Sequence, residues 1–504
     1  MLRRLETYWT LALFAFVVLG VAAVWLGGLN QDEGWYLYAA NMVAEGKMLY
    51  RDFFYTQGPE MPSFYRSFSW VWGTWGLLGA RFFTLTLGVA GVCFAAGLAR
   101  HLAPEGRRGE AALVTFLLLG CNLYHLYYVA IPKTYALASM FVTIGFFLLF
   151  VGKKPVFQLG AGLALAYAAG TRISLGALLC AVGLWLLCAR QWKSLLWFCI
   201  GGFGGLALVY GPYLCDAGAR EGLLAAQQYH AVRSGFDSVW TVGSLSRLVR
   251  WYLPVFIVLG LGVGMKVEVG GRGGQRNSNI PLSTSHLHIL LFSFLAVFAV
   301  QMFAPFPYED YQVPVMGLLA VYAAVNLVKR GDTPLFDFNS QLRLLLVLGL
   351  CFASSFGSPL LEKWMTNGQD RFWSLKKERC ELAQLRDVAK RIEAQDPGGR
   401  TLLTQDLYLA IETGRKVPKG LEMGPFAMLT DAEWKNLLTK TAPAECAVAA
   451  LSGYAFAVEP PVCKERSVET QMEYWTLLKQ NYKLVDREEA FGQNATTLLV
   501  LKRK

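Results

Sequence analysis

The sequence predicts a polytopic α-helical membrane protein followed by a small extracytoplasmic α/β domain, and three observations carry that expectation. Of 504 residues, 54% are hydrophobic and only 16% charged, with a mean hydropathy of +0.36, well outside the usual soluble composition. The apolar residues fall in blocks of about twenty, the length that crosses a bilayer core as a helix. From about residue 360 the blocks stop, and charged and apolar residues mix as in an ordinary soluble domain.

The division is therefore 1–359, a transmembrane domain with an extracytoplasmic loop over 31–79, and 360–504, a soluble domain. Eleven spans are expected, near 9–29, 80–100, 111–130, 134–152, 156–170, 173–189, 194–213, 249–267, 287–304, 313–329 and 341–359. Charge tests the count. Arg3-Arg4, Arg100 with Arg107-Arg108, Lys153-Lys154, Arg190 with Lys193, Arg272 with Arg276, and Lys329-Arg330 fall in alternate loops, which assigns those loops and the N-terminus to the cytoplasm. The other loops hold the acids Asp32-Glu33, Asp52, Glu60, Asp216, Asp237 and Glu309-Asp310, and the tail shares their side.

The net charge of +11 is a topology signal, because the basic residues cluster between spans and not along one nucleic-acid-binding face. The N-terminal apolar run is too long for a signal peptide's core and lacks a small-residue cleavage site, so it reads as a retained anchor. Six of the ten cysteines lie inside spans as small hydrophobes. Cys446 and Cys463 either pair in an oxidising compartment or stay free. Segment 266–286, rich in Gly, Asn, Ser and Arg, is a cytoplasmic connector; its Gly-Gly-Arg-Gly-Gly is not followed by the Lys-Ser/Thr of a phosphate loop.

In the tail, 375–395 alternates charge and apolar residues at helical spacing until Asp396-Pro397-Gly398-Gly399 breaks it. A second helix runs to Gly414, and strands are expected at Thr401 to Thr404, Cys446 to Leu451, Tyr482 to Val485 and Thr496 to Leu501. Helix-strand alternation predicts a partly parallel sheet.

The most informative stretch is Asn30 to Pro59, directly after the first span. Two adjacent carboxylates, Asp32 and Glu33, sit at the membrane edge, where an unpaired charge is costly. Asn30 and Glu33 have the spacing of a capping box. Trp35, Tyr38, Ala39, Met42 and Val43 then recur at helical spacing, predicting a helix in the interface with one face in lipid. Gly46 stops it, and Tyr50-Arg51-Asp52-Phe53-Phe54-Tyr55 packs cation, acid and flat apolar surface into a short loop before Gln57-Gly58-Pro59. Such a loop suits a charged, partly apolar substrate.

Asp32-Glu33 after the first span, the Tyr/Ala-rich helix with Gly46, the Tyr-Arg-Asp-Phe-Phe run, Gly58-Pro59, and Arg81 opening the second span together resemble the GT-C integral-membrane glycosyltransferases. The branch is similar to the protein mannosyltransferase and aminoarabinose transferase group, most specifically over the first hundred residues. The resemblance implies a polyprenyl-phosphate sugar donor, a site on the non-cytoplasmic side of a bacterial inner (plasma) membrane, and inversion at the sugar carbon. It also implies that the first acid, Asp32, is the catalytic one, with Glu33 beside it, and that an arginine follows the fifth span, where Arg172 stands.

Such chemistry needs a base for the acceptor's proton and positive charge on the departing phosphate. Arg51, Arg81, Lys133 and Arg172 all map to the outer edge and are the candidates for the donor phosphate. Asp52, Tyr55 and Gln57 on the first loop, with Tyr308, Glu309, Asp310 and Tyr311 between spans nine and ten, are candidates for substrate contacts. The second acidic pair suits either sugar hydroxyls or a divalent cation; no histidine pair has zinc spacing on this side.

Two positions depart from the family's pattern. Gln57-Gly58-Pro59 replaces a Lys-Pro-Pro, and Pro132-Lys133-Thr134 stands where relatives carry an acid. Lys133 is therefore expected to supply part of the missing phosphate charge, and Glu309 or Asp310 the second acid. The acceptor, a lipid, glycan or protein, stays open. A flippase or transporter would carry ionisable residues mid-span, where this chain has almost none. A non-catalytic scaffold would give Asp32, Arg172 and the Tyr308 to Tyr311 loop no reason to converge.

Overall fold

Successive apolar helices run back and forth between two ends of one bundle. The structure, a computed structural model, describes residues 2–232, 238–264, 283–304, 307–330, 349, 380–427, 429–452, 468–493 and 495–504. Helix α1 (Leu2–Leu26) leads to α2 (Gln31–Ala44) and α3 (Glu60–Tyr65) at the first end. The long α4 (Ser69–Leu102) crosses to the other end, and α5 (Arg108–Gly120) with α6 (Leu123–Ala130) returns. Then α7 (Thr134–Val151), α8 (Pro155–Thr171), α9 (Gly176–Cys188) and α10 (Trp192–Cys215) alternate in direction. After α11 (Ala217–Val232) and α12 (Ser238–Trp251) come α13 (Leu253–Gly264), α14 (Ser283–Met302) and α15 (Val313–Arg330).

Long-range hydrogen bonds tie the ends together. Arg107 Nη1 donates to Val328 O at 2.7 Å, joining the start of α5 to the end of α15. At the opposite end, Gln301 Nε2 donates to Ser174 Oγ at 3.0 Å and Arg51 Nη1 lies 3.2 Å from Asp216 Oδ2. The basic and acidic loops of the sequence thus assort to separate ends.

Among the described residues five helices are long and apolar enough to cross a membrane, or seven if each of two bent pairs is one span. The expected third span is broken at Asn122, which caps α6 by accepting from His125 N at 3.0 Å, so α5 and α6 meet at 71°. The expected eighth is bent by 77° between α12 and α13. The stretches expected as spans six and nine are shorter apolar helices, Ile173–Cys188 and Leu287–Met302. The span expected at 341–359 and most of the 266–286 connector lie outside the described residues.

Helix α2 corrects one expectation. Its capping box forms as predicted, but Trp35, Tyr38, Ala39 and Val43 are all buried, because the C-terminal domain covers the face assigned to lipid. Tyr38 OH accepts from Val417 N at 3.1 Å. A Cβ on Gly34 would lie 2.3 Å from Tyr408 N, so only glycine admits this backbone contact. Helix α4 is likewise engaged: it breaks at Gly76 (φ 62°), and Glu412 Oε2 accepts from Leu77 N at 2.8 Å, capping the part that enters the bundle.

In the C-terminal domain the helices Glu381–Gln395 and Leu407–Thr413 end where predicted, at the Asp396-Pro397-Gly398-Gly399 break and at Gly414. The sheet is antiparallel, with β1 (Val448–Ser452), β2 (Tyr482–Phe491) and β3 (Thr496–Arg503) in the order β1-β3-β2. The expected partly parallel sheet is therefore corrected. The crossover through helix Val468–Asn481 leaves β1 and β2 running the same way, but hairpin partner β3 inserts between them. Among the described residues of this domain, parallel pairing is confined to isolated bridges of the Thr401 to Thr404 segment, Thr401 with Lys416 and Leu403 with Ala449. Cys446 is a buried free cysteine, and Cys463 lies outside the described residues.

Candidate active site

The acidic end of the bundle brings together residues from four stretches distant in sequence. Asp32, in the first turn of α2, has a side chain 28% exposed, and its Oδ2 lies 3.0 Å from Lys133 Nζ. Trp35 Nε1, one turn on, donates to Asp32 Oδ1 at 3.1 Å, which orients the carboxylate. Lys133, just before α7, also reaches Asp310 Oδ2 at 3.5 Å. That same oxygen accepts from Tyr135 OH at 2.7 Å, while Asp310 Oδ1 is buried without a partner.

Arg172 completes the group from the C-terminal end of α8. Its guanidinium carbon stands 4.9 Å from the Tyr135 ring centroid and 4.5 Å from that of Tyr311, and Nη1 donates to Thr134 Oγ1 at 3.1 Å. Two rings hold the cation's plane, and its Nε has no partner. A positive charge here also suits the negative end of the α8 dipole. The loop after α2 is drawn against the same helix end: a Cβ on Gly58 would fall 2.0 Å from Gly170 O.

An apolar groove lies near Arg172 along the chain. Ala169 and Ile173, which flank Arg172 in the sequence, line a cavity of about 910 Å³ between α8, α9 and α10, together with Gly202, Phe203, Leu206 and Leu214. Small residues on α8 and α10 shape it: a Cβ on Gly162 would meet Phe198 O at 2.1 Å.

Other expected site residues stand elsewhere. Arg81 is fully buried in α4, bonded to both Glu33 oxygens at 2.7 and 2.6 Å and to the carbonyls of Val24, Gly27 and Gly28. All five guanidinium N–H groups are used, so Arg81 has no donor left for a phosphate. Glu33, fully buried between Arg81 and the Asn30 N–H, is likewise removed from the catalytic pair. Both serve to anchor α1, α2 and α4 to one another.

Glu309 parts from its neighbour Asp310: it is buried and pairs with Arg247 Nε at 3.0 Å. Arg51 is exposed and pairs with Asp52 and Asp216; its hydrogen bond is the main cause that holds the Asp52 carboxyl below the usual range, while for Asp216 the Ala219 N–H comes first and Arg51 adds to it. Tyr50 OH donates to Gln57 O at 2.5 Å, fixing the loop, and Gln57 itself is half-buried. Tyr55 is fully buried, 5.2 Å from the Trp35 ring, with its hydroxyl unpartnered. Tyr308 packs on Trp240 at 5.5 Å and on Tyr311 at 5.5 Å.

Sequence reasoning missed Thr134, Tyr135 and Arg247. The first two follow Lys133 directly at the start of α7 and were detectable as polar groups at a span's edge. Arg247 carried no such signal, because its importance lies in facing Glu309 from another helix. For the divalent cation, the donor set is informative: among the described residues no three His, Cys, Asp or Glu side chains gather, and an ammonium already stands between Asp32 and Asp310.

No family model matches the chain, and no curated protein matches it. Among solved structures, ArnT from Cupriavidus metallidurans bound to undecaprenyl phosphate superposes with a TM-score of 0.60 at 14% identity, covering 98% of this chain and 97% of that one. The same protein in the apo state gives a TM-score of 0.60 at 14% identity, covering 98% of both chains. The likeness extends over nearly the whole of both chains and shows the fold: this chain is folded as ArnT is.

Proposed function

We propose that the protein is an inverting glycosyltransferase that moves a sugar from a polyprenyl-phosphate donor to an acceptor hydroxyl at the outer face of a bacterial inner membrane. The observation that carries this reading is the placement of Asp32, Lys133 and Arg172 in one group, with an apolar groove lined by Ala169 and Ile173, which flank Arg172 in the sequence. A lipid phosphate needs both: cations for its head and hydrocarbon walls for its tail.

In the proposed step the acceptor O–H gives its proton to the Asp32 carboxylate. The freed oxygen forms a bond to the anomeric carbon, and the bond from that carbon to the donor phosphate oxygen breaks. The electron pair leaves with the polyprenyl phosphate, whose added charge Arg172 and Lys133 stabilise. Attack opposite the leaving group inverts the centre. Asp310 holds Lys133 through its ammonium and Tyr135 through its hydroxyl, while Trp35 aims Asp32. Tyr311, against Arg172, supplies a wall for the sugar, and Arg51 with Asp52 stands at the loop's exposed edge.

In this orientation the N-terminus is cytoplasmic and the C-terminal domain lies outside. Among the described residues the ionisable groups stand mainly at the ends of the helices and not half-way along them, which favours a transferase over a transporter. Lipid-linked sugars extracted from cells lacking the protein, and from cells carrying only Asp32→Asn, test the proposal. The same intermediate is expected to accumulate in both. No accumulation in either would overturn it.

A further inference from the structure

A second built cavity lies at the end of the bundle remote from Asp32. The ends of α4, α7, α9 and α15 and the starts of α8 and α10 enclose about 790 Å³. Helix α7 separates the two sites: its 18 residues span about 27 Å, close to the thickness of a bilayer core. The remote cavity is therefore independent of the transfer site.

Its lining has a definite chemistry. Lys153, Arg190, Lys193 and Lys329 come from separate turns of the chain, and the described lining contains no Asp or Glu. None of the four is ion-paired to a described carboxylate. The tendency of cytoplasmic loops to be basic explains why cations lie at this end. It does not explain why they converge on a cavity. The N-terminus of α10 also faces it: Trp192, Lys193 and Ser194 line the space, and the N-cap Gln191 supplies no side-chain cap. Uncapped N–H groups at a helix start favour an anion.

Gln158 points to something more specific than an anion. It is 4% exposed, and its Nε2 donates to Leu149 O at 3.3 Å and Gly152 O at 2.9 Å, which sets the amide's orientation. The remaining Oε1 has no partner, and Gln158 is one of the residues that line the cavity. A buried acceptor left unpaired is costly, so the ligand should bring a donor of its own. An ammonium donor would be repelled by the four cations; a hydroxyl would not. Trp185 and Leu287 supply the apolar part of the wall, as expected at headgroup depth.

We propose that this cavity binds a phosphate ester carrying a free hydroxyl, the headgroup chemistry of phosphatidylglycerol, at the membrane face opposite the Asp32 site. The cations and the α10 start hold the phosphate, and Gln158 Oε1 accepts from the hydroxyl.

The test uses the full-length protein in detergent, titrated with short-chain phosphatidylglycerol, phosphatidylcholine and phosphatidic acid, and separately with glycerol 3-phosphate, with bound ligand read by native mass spectrometry. Phosphatidylglycerol is expected to bind at least tenfold more tightly than phosphatidylcholine. Arg190→Gln with Lys193→Gln should remove that preference. Arg100→Gln with Lys154→Gln, which takes the same charge from the same end outside the cavity, should change it less than twofold. Gln158→Leu should keep anion binding but abolish the preference for phosphatidylglycerol over phosphatidic acid. Glycerol 3-phosphate binding with the same dependence on Arg190 and Lys193 would assign the site to a soluble ester of that chemistry. Absence of any preference, or an equal loss in the control double variant, would overturn the proposal.

Discussion

Lys133 Nζ stands between two carboxylates, 3.0 Å from Asp32 Oδ2 and 3.5 Å from Asp310 Oδ2. The ammonium is nearly buried, so its charge is balanced by this pair, and the base proposed for the reaction is held by the cation proposed for the leaving group. Approach of a donor phosphate gives Lys133 a new partner and frees Asp32 Oδ2 for the acceptor's proton. Base and phosphate cation are thereby coupled.

Asp32→Asn is expected to lower transfer by about 10²–10⁴-fold, the usual weight of a general base. The amide oxygen can still accept from Trp35 Nε1 and Asp310 still faces Lys133, so the melting temperature should fall less than for a variant of the fully buried Glu33–Arg81 pair. Lys133→Ala should lower activity and raise the KM for the donor. Full activity in the Lys133 variant would refute its role on the phosphate.

Transfer should persist in excess chelator. The Lys133 side chain already occupies the space between Asp32 and Asp310. Loss of activity in EDTA, restored by a divalent salt, would show that an ion does the work assigned here to Lys133.

Glu33→Gln and Arg81→Met should act on folding first. Each leaves one member of a fully buried, saturated pair without its partner, a change that costs about 3–5 kcal/mol. Thermal unfolding in detergent should shift strongly downward, in contrast to Asp32→Asn. A Glu33→Gln protein of normal melting temperature but no transfer activity would return Glu33 to the catalytic set.

Docking of the C-terminal domain should depend on pH through Asp406. Gln31 Nε2 donates to its Oδ1 at 2.9 Å, but burial dominates and raises its pKa above the ordinary 3.8. A carboxyl raised in the folded state contributes stability below its ordinary pKa and loses that contribution as pH climbs through the raised value. Hydrogen exchange in α2 and in helix Leu407–Thr413 should therefore quicken as pH rises from the low end of this window. Asp406→Asn should flatten the dependence, and an unchanged profile would exclude Asp406 as its source.

Gly58→Ala should separate the first loop from the end of α8, because its Cβ would sit 2.0 Å from Gly170 O. Forced displacement of packed backbone commonly costs about 1–3 kcal/mol, and here it moves the loop relative to Arg172. An activity loss of tenfold or more is expected. Gly73→Ala is the control, since its Cβ would meet nothing within 4 Å.

Much of this site was readable along the chain because the signals are local. A capping box needs only Asn30 and Glu33 at their spacing, and the alternation of basic and acidic loops needs only their order. The break that carries Arg172 shows as two short apolar stretches around Gly170-Thr171-Arg172. Membrane character, and Asp32, Lys133 and Arg172 as candidates at one edge, follow from such patterns.

Partnerships were decided by packing. Glu309 and Asp310 are adjacent, yet successive residues of a helical turn point about 100–120° apart, so one faces Arg247 and the other Lys133. Arg81 resembles Arg172 in the sequence, an arginine at a span's edge, but a closed shell of carbonyls and Glu33 consumes every donor of the first, while the second keeps a free Nε. The lipid face expected for α2 was covered by a domain more than 300 residues onward, and β3 entered between two strands that alternation alone would have paired. Sequence period and charge determine which groups reach the membrane edge; which of them meet depends on contacts between distant segments, and those exist only once the chain has folded.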